Sequence, residues 1–294
     1  MFPNAFQYEA PTSVDEAIRL MTEHGMDSKV LAGGQSLLPM MKLRIAAPLV
    51  LIDINGIEDL KGVREVDGAL RIGALTRHAE LEHAVALQAA FPLLSRAARW
   101  IADPSIRNRG TIGGSLVHAD PASDWGTAMI ALGAHVEARG PDGSRLIPVD
   151  EFFLDTFVTS LADNELVVAI HLPLPRGPVA ARYMKIERKA GDFAIAGLAV
   201  QVVLDDDDVV SQAGIGMCAC GPVPLRARRA EAALTGHRLT DETIAAASRL
   251  VPEDADPVDD MRGGAAYKRD LLRVFAARAL QDIAQEWNGK AGVR

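Results

Sequence analysis

Cysteine is almost missing from this sequence of 294 residues, which holds only Cys218 and Cys220. A pair spaced CxC is neither a disulfide framework nor a CxxC redox or zinc motif. Iron–sulfur ligation needs more thiolates than the chain owns. Its seven histidines are scattered, and His78 and His83 miss the HExxH spacing that puts two ligands on one helical face, so no metal site is expected. Dense positive charge is also missing. The formal net charge is −8, and the tightest basic group, Arg226, Arg228 and Arg229, reads as one solvated helix face, which disfavours nucleic-acid binding. No apolar run is long enough to span a bilayer, and MFPNAFQYEAPTS has neither the basic start nor the apolar core of a signal peptide. The expected location is the cytoplasm, without membrane insertion. No GxxxxGK phosphate loop occurs, and Gly114-Ser115-Leu116 lacks the closing glycine of a nucleophile elbow, which disfavours a serine hydrolase.

What is present is an ordinary globular composition, 49% hydrophobic and 24% charged, able to form a core without disulfides or metal staples. Ser13 and Glu16 make a capping box ahead of Val14, Ala17, Ile18 and Met21, apolar at helical spacing. Short buried strands are expected at Lys29–Ala32 and Leu49–Ile52, so the first ~55 residues form a small α/β unit. Asp67-Gly68 and Asp142-Gly143 are hairpin turns by type. Thr76 is placed to cap a helix over His78–Leu87, a second helix is expected over Leu93–Ile101, and Thr127–Ala134 reads as a buried helix or strand. Three prolines between Leu172 and Pro178 mark a linker. Beyond it, strands are expected at Ala181–Arg188, Ala194–Leu204 and Val209–Cys218, with Asp205–Asp208 as a hairpin tip. The longest helix is expected over Gly264–Trp287.

The chemistry-bearing residues are two glycine pairs, Ala32-Gly33-Gly34-Gln35-Ser36 and Thr111-Ile112-Gly113-Gly114-Ser115. Glycine permits positive φ and lets backbone N–H groups approach an anion. Successive N–H groups form a nest, and the Ser36, Thr111 and Ser115 hydroxyls add donors. Two nests facing each other suit a pyrophosphate, whereas separate tight turns need no ligand. Gly214-Ile215-Gly216-Met217-Cys218-Ala219 matches GxGxxA, but Pro222 and Pro224 follow where a dinucleotide-binding helix should start, so the match is discounted.

The segments KVLAGGQSLLP (Lys29–Pro39) and IRNRGTIGGSLVHADPASD (Ile106–Asp124) resemble the flavoprotein medium subunits of the carbon monoxide dehydrogenase and xanthine dehydrogenase family. GALTRH (Gly73–His78), KIERKAGDFA (Lys185–Ala194) and GPVPLRA (Gly221–Ala227) agree with it, in the family's order. The resemblance implies an α+β chain: a two-lobed FAD-binding domain of the vanillyl-alcohol oxidase type over residues 1–177, with lobes of about 1–57 and 58–177. A C-terminal α+β domain with a three-stranded antiparallel sheet and helices over 178–288, and a tail, 289–294, complete it.

By the same resemblance, Lys29, Val30, Leu31, Ala32, Gly33, Gly34, Gln35 and Ser36, with Thr111, Ile112, Gly113, Gly114 and Ser115, hold the FAD pyrophosphate. Asp124 accepts from flavin hydroxyls; its plainer reading is a helix N-cap. Ile101, Val167 and Val168 pack the flavin, or simply fill core. Lys185 lies near the cofactor, and Arg107 and Arg109 support the pyrophosphate or face a partner. Phe193 stands where relatives often carry tyrosine, keeping a stacking surface but losing a hydroxyl. Function follows as an expectation. Substrate is oxidised at a molybdenum cofactor on a large subunit, and 2Fe–2S clusters on a small subunit pass electrons to this FAD. NAD, a quinone or oxygen then accepts them, in a dimer of heterotrimers. The alternatives are a self-sufficient FAD reductase on the same fold and a non-catalytic assembly subunit.

Overall fold

Ser13 caps the first helix as its place in the sequence demands. Its hydroxyl accepts from the Glu16 N–H at 3.2 Å, while the Glu16 carboxylate reaches back to the Thr12 N–H at 2.9 Å. The protein is described here by a computed structural model covering residues 2–291. The first lobe comprises β1 (Gln7–Glu9), α1 (Val14–His24), β2 (Ser28–Leu31), α2 (Leu37–Lys42) and β3 (Val50–Asp53). Its strands pair in parallel in the order β1-β3-β2. Val14, Ala17, Ile18 and Met21 of α1 share one core with Val50 and Ile52 of β3, as the helical spacing of the apolar residues requires.

The second lobe opens with β4 (Val63–Val66) and β5 (Ala69–Gly73), joined by Asp67 and Gly68 at φ 51° and 74°, the double left-handed turn that the Asp-Gly pair encodes. Helices α3 (His78–Glu82), α4 (Pro92–Ala98), α5 (Pro104–Arg107), α6 (Ile112–His118) and α7 (Asp124–Leu132) follow. Then come β6 (His135–Gly140), β7 (Gly143–Pro148), α8 (Val149–Phe152), the small hairpin β8 (Phe153–Asp155) and β9 (Val158–Thr159), and β10 (Leu166–Pro173). The main sheet is antiparallel, in the order β4-β5-β10-β6-β7. Strand β10 serves two cores: Val167 joins the second lobe's, while Leu166 and Val168 join the first lobe's.

The C-terminal region comprises β11 (Val179–Ile186), β12 (Ala196–Leu204), β13 (Val210–Cys218), β14 (Leu225–Arg226), α9 (Arg228–Leu234), α10 (Asp241–Leu250) and α11 (Ala265–Ala291). The expected three antiparallel strands are joined by a fourth, β14, too short to carry a sequence period, which pairs with Gly216 and Met217 at the sheet edge. Gly214 and Gly216 lie in β13, where α7 of the second lobe packs directly on the strand. A Cβ at either would overlap the carbonyl oxygen of Ala131 or Thr127. The GxGxxA letters therefore record close helix-on-strand packing and no nucleotide site.

Three local expectations need correction. The Thr76 hydroxyl donates to the Gly62 carbonyl at 3.1 Å, so Arg77 takes the N-cap position, and α3 stops at Glu82 with a separate 3-10 turn at Val85–Leu87. Helix α4 starts at Pro92, whose fixed φ suits a first turn, and ends at Ala98; Ala102 then adopts φ 44°. Helix α11 continues past Trp287 to Ala291; residues 292–294 of the expected tail lie outside the described residues.

Candidate functional site

The first glycine loop leaves β2 and enters α2. Gly34 has φ 73°, the left-handed turn that glycine permits. The backbone N–H groups of Gly33, Gly34, Gln35, Ser36 and Leu37 have no acceptor among the described residues. Ser36 precedes α2 without using its hydroxyl as a cap. Consecutive unpaired donors of this kind form an anion-binding concavity. Lys29 is exposed, Val30 and Leu31 are half-buried, and Gly33 is buried.

The second loop sits against the first, but differently from expectation. A Cβ on Gly33 would overlap the Arg109 carbonyl oxygen and lie 2.7 Å from the Gly110 Cα, so the two backbones touch. Gly113 and Gly114, however, are helical residues of α6 rather than left-handed turn residues. Their donors are already engaged. The Ile112 N–H donates to Thr76 O, the Gly113 N–H to Ala74 O, the Gly114 N–H to Thr111 Oγ1, and the Ser115 N–H to Thr111 O. The second pair is thus a wall beside the nest and not a second nest. The Ser115 and Ser123 hydroxyl oxygens lie 3.3 Å apart.

Gly113 is glycine because α6 rests on the backbone of Ala74, where a Cβ would come within 2.6 Å of the Ala74 Cβ and 2.9 Å of its Cα. Gly113→Val should therefore destabilise the fold itself, by roughly 1–3 kcal/mol from overpacking. Urea unfolding of the apo-chain measures this directly. Unchanged stability with loss of ligand would return Gly113 to a purely ligand-facing role.

A second cluster lies where α7 meets the C-terminal sheet. Asp124 is buried, and its Oδ1 accepts from the Tyr183 hydroxyl at 2.5 Å and its Oδ2 from the Lys185 Nζ at 3.0 Å. The Lys185 ammonium also donates to the Trp100 carbonyl at 3.1 Å and lies 3.3 Å from the Glu187 carboxylate. Burial pushes the Asp124 carboxyl up to about 6, against the opposing pull of Lys185 and Tyr183. Burial, with the Asp124 charge, likewise raises the Tyr183 phenol and pushes the Cys218 thiol beside it up to about 12. The helix-cap reading of Asp124 is wrong. Ser123 caps α7, accepting from the Gly126 N–H, and Asp124 is the first helical residue.

Ile101 directly follows Trp100, whose carbonyl accepts from Lys185. The Gly191 Cα packs on the Ala102 carbonyl, which brings the segment carrying Phe193 beside Ile101 and Ala102. Phe193 is 47% exposed with the Arg262 guanidinium 5.3 Å from its ring centroid, so it is not a core aromatic. Ile101 is half-buried against the second-lobe core, whereas Val167 and Val168 are buried in the two cores flanking β10. Arg107 binds Glu82 at 2.7 Å and donates to the carbonyls of Ile101 and Ala102, which commits it to structure rather than to an anion or a partner.

The sequence placed His78 in a helix and gave neither it nor Trp125 a role at the site, yet together they link the two regions. The Trp125 Nε1–H donates to His78 Nδ1 at 2.9 Å. Burial, aided by the charges of Arg77 and Arg107, lowers His78 to about 3, so the imidazole is neutral and its proton is on Nε2. The ring packs so tightly under Gly110 that a Cβ there would lie 2.5 Å from Nε2. Asn55, Arg77 and Tyr183 were missed too. A lone polar residue between apolar runs gives no sequence signal of its eventual partner.

The first lobe thus carries a run of unpaired N–H groups suited to an anion, the next lobe a helix packed beside it, and the seam with the C-terminal sheet a buried carboxylate. Comparison with known proteins narrows this. Residues 4–175 match the family described as FAD binding domain in molybdopterin dehydrogenase, and residues 181–283 match the CO dehydrogenase flavoprotein C-terminal domain. The chain belongs to this family of FAD-binding medium subunits of molybdenum hydroxylases. It is 43% identical to the carbon monoxide dehydrogenase medium chain of Hydrogenophaga pseudoflava over 95% of this chain and 97% of that one. It is 41% identical, covering 95% of each chain, to subunit alpha of the 6-hydroxypseudooxynicotine dehydrogenase complex of Paenarthrobacter nicotinovorans. Among solved structures, it is similar to the Hydrogenophaga pseudoflava carbon monoxide dehydrogenase that lacks the Mo-pyranopterin moiety. The TM-score is 0.92 at 44% identity, covering 97% of this chain and 99% of that one.

Proposed function

We propose that this chain receives electrons from iron–sulfur clusters on a small partner subunit and passes them through one non-covalent FAD to an external acceptor. Substrate oxidation then belongs to a molybdenum cofactor on a large subunit, in a cytoplasmic dimer of heterotrimers. The observation that carries the cofactor reading is the run of free N–H groups from Gly33 to Leu37 beside the Thr111–Ser115 wall. That geometry fits a pyrophosphate. No helix among the described residues is long and apolar enough to cross a membrane.

The remaining residues take roles consistent with their surroundings. Lys29 to Leu31 deliver the chain to the nest, and Ser36 and Thr111 supply hydroxyl donors. Asp124 still has lone pairs for a flavin hydroxyl after serving Tyr183 and Lys185. Ile101 and Phe193 offer apolar surface, and Lys185 a nearby cation; Val167 and Val168 support the site from the cores. Bound FAD supplies the two-electron to one-electron exchange, while the protein binds, orients and excludes water. The division at 177/178, with lobes at 1–57 and 58–177, belongs to the same proposal.

The test is stopped-flow bleaching of the flavin with physiological substrate. It compares the holo-chain, the holo-chain with the small subunit, and the whole complex. Bleaching is expected only with the complete electron path. Rapid bleaching of the chain by itself would mean that it carries its own substrate site and is a self-sufficient reductase.

A further inference from the structure

We infer that Asn55 and Arg77 form a side-chain clamp that sets the geometry of the FAD pyrophosphate nest by pinning the Ala32 carbonyl before Gly33 and the Arg109 carbonyl on which Gly33 packs. The inference rests on the reading of Gly33–Leu37 as the pyrophosphate site. Asn55 Nδ2 donates to Ala32 O at 2.8 Å and to Asp53 Oδ1 at 2.6 Å, and its Oδ1 accepts from Arg77 Nη2 at 2.7 Å. Arg77 Nη1 donates to Arg109 O at 2.5 Å. The clamp thus runs from the residue before Gly33 to the residue before Gly110, across the contact between the two loops.

The chemistry allows only one arrangement. Asn55 faces three acceptors on one side, Ala32 O, Asp53 Oδ1 and the longer Leu31 O, and a guanidinium on the other, so its amide cannot be flipped without opposing a carbonyl to oxygen and an NH₂ to a cation. It is fixed from behind as well. Asp53 Oδ1 accepts from the Asn55 backbone N–H at 2.9 Å, and Asp53 Oδ2 accepts from the Tyr8 hydroxyl at 2.7 Å. Because a trans peptide is planar, holding the Ala32 carbonyl toward Asn55 turns the Gly33 N–H the opposite way. That N–H is the first of the five unpaired donors. The Arg109 carbonyl is held by Arg77 on one side while Gly33 packs against it on the other. Without the clamp both peptides are free to rotate, and a carbonyl turned toward a phosphate would repel it.

Asn55 and Arg77 are therefore positioning residues, and they need not touch the ligand. The experiment uses the full chain, stripped of flavin and titrated with FAD by fluorescence quenching. Its variants are Asn55→Ala, Arg77→Met, Arg77→Lys and the Asn55→Ala/Arg77→Met pair. Each single truncation should weaken FAD binding by roughly 10- to 100-fold, the range for losing a charge-assisted hydrogen bond. The double variant should be little worse than either single one, because both break one connected device. Arg77→Lys should fall on the side of Arg77→Met, since one ammonium cannot reproduce a planar fork. Amide hydrogen exchange of the apo-chain provides a readout that does not depend on flavin. Exchange should speed up at Leu38, His78 and Gly110, whose N–H groups donate to Gly34 O, Gly110 O and Ile106 O at the two loops, with the C-terminal sheet unchanged and urea stability altered much less than FAD affinity.

FAD affinity within about twofold of wild type in both truncations would overturn the clamp, since hydrogen bonds that orient a binding site are worth more than that. Equal loss of global stability and affinity, without faster local exchange at Leu38, His78 and Gly110, would overturn it too. A wild-type chain that takes up no FAD would instead sink the underlying cofactor reading, whatever the variants do.

Discussion

Gly33→Ala should give a folded chain that no longer retains FAD. The added methyl has nowhere to go: it would overlap the Arg109 carbonyl oxygen and sit 2.7 Å from the Gly110 Cα. Both obstacles are backbone, so the first loop must move off the second rather than push a rotamer aside. Overpacking of this kind costs about 1–3 kcal/mol, which the fold survives. The site does not survive as well, because pyrophosphate recognition depends on donors fixed to within a fraction of an ångström. A loss of about 100-fold or more in FAD affinity is expected, some 2.7 kcal/mol. The comparison with Gly34 sharpens the test. A Cβ there would meet the flexible Leu38 Cδ1 at 2.9 Å, which can yield, but φ is 73°. Gly34→Ala should therefore be the milder change, and Gly34→Val, whose β-branched side chain resists positive φ, should also lose flavin. Flavin content after gel filtration, with circular dichroism as the check on folding, decides the matter. Stoichiometric FAD in Gly33→Ala would mean that the loops need not touch.

Lys185→Met should be the most destabilising single change at the seam between α7 and the C-terminal sheet. It leaves the Asp124 and Glu187 carboxylates, 3.0 Å and 3.3 Å from the present ammonium, without their shared cation. Removing one partner of a buried pair costs about 3–5 kcal/mol. The pH dependence gives the sign. The Asp124 carboxyl is raised in the fold to about 6 from an ordinary value of 3.8. Between those values the folded state holds a proton that the unfolded state has released, so wild-type stability falls as pH rises from about 4 to 6 and then levels. Without Lys185 the folded carboxyl rises further, and the penalty should keep growing above pH 6. Urea unfolding of the apo-chain at pH 5 and pH 7.5 should show the variant gaining more than wild type at the lower pH. Adding Asp124→Asn should recover part of the loss at pH 7.5. A variant equally stable at both pH values would show that Asp124 and Lys185 do not share their burial.

Features legible in the sequence and those set by the fold divide by distance along the chain. Ser13, the Asp67-Gly68 turn and the long C-terminal helix were legible because each is a contract among neighbours within one or two turns. The first glycine loop was legible for the same reason: its free donors follow from its own backbone and φ at Gly34. Gly113 was misread because glycine serves two needs, positive φ and close approach, and the letters do not distinguish them. Only the packing of α6 on Ala74 shows which need applies. Gly214 and Gly216 carry the same ambiguity.

The sequence by itself determined the classes of element, the absence of enough cysteine for a cluster, and the two motif segments whose order matches the family. The tertiary structure decided which residues act together. Asp124 and Lys185 are 61 positions apart, and Trp125 and His78 are 47; no periodicity or cap rule relates them. Asn55 meets Ala32 and Arg77 because β3 pairs with β2 and the start of α3 lies beside them. Such contacts are set by how sheets and helices stack. Burial, the largest cause moving Asp124 toward neutrality, with the Glu187 charge adding to it, is a property of the whole fold and of no segment within it.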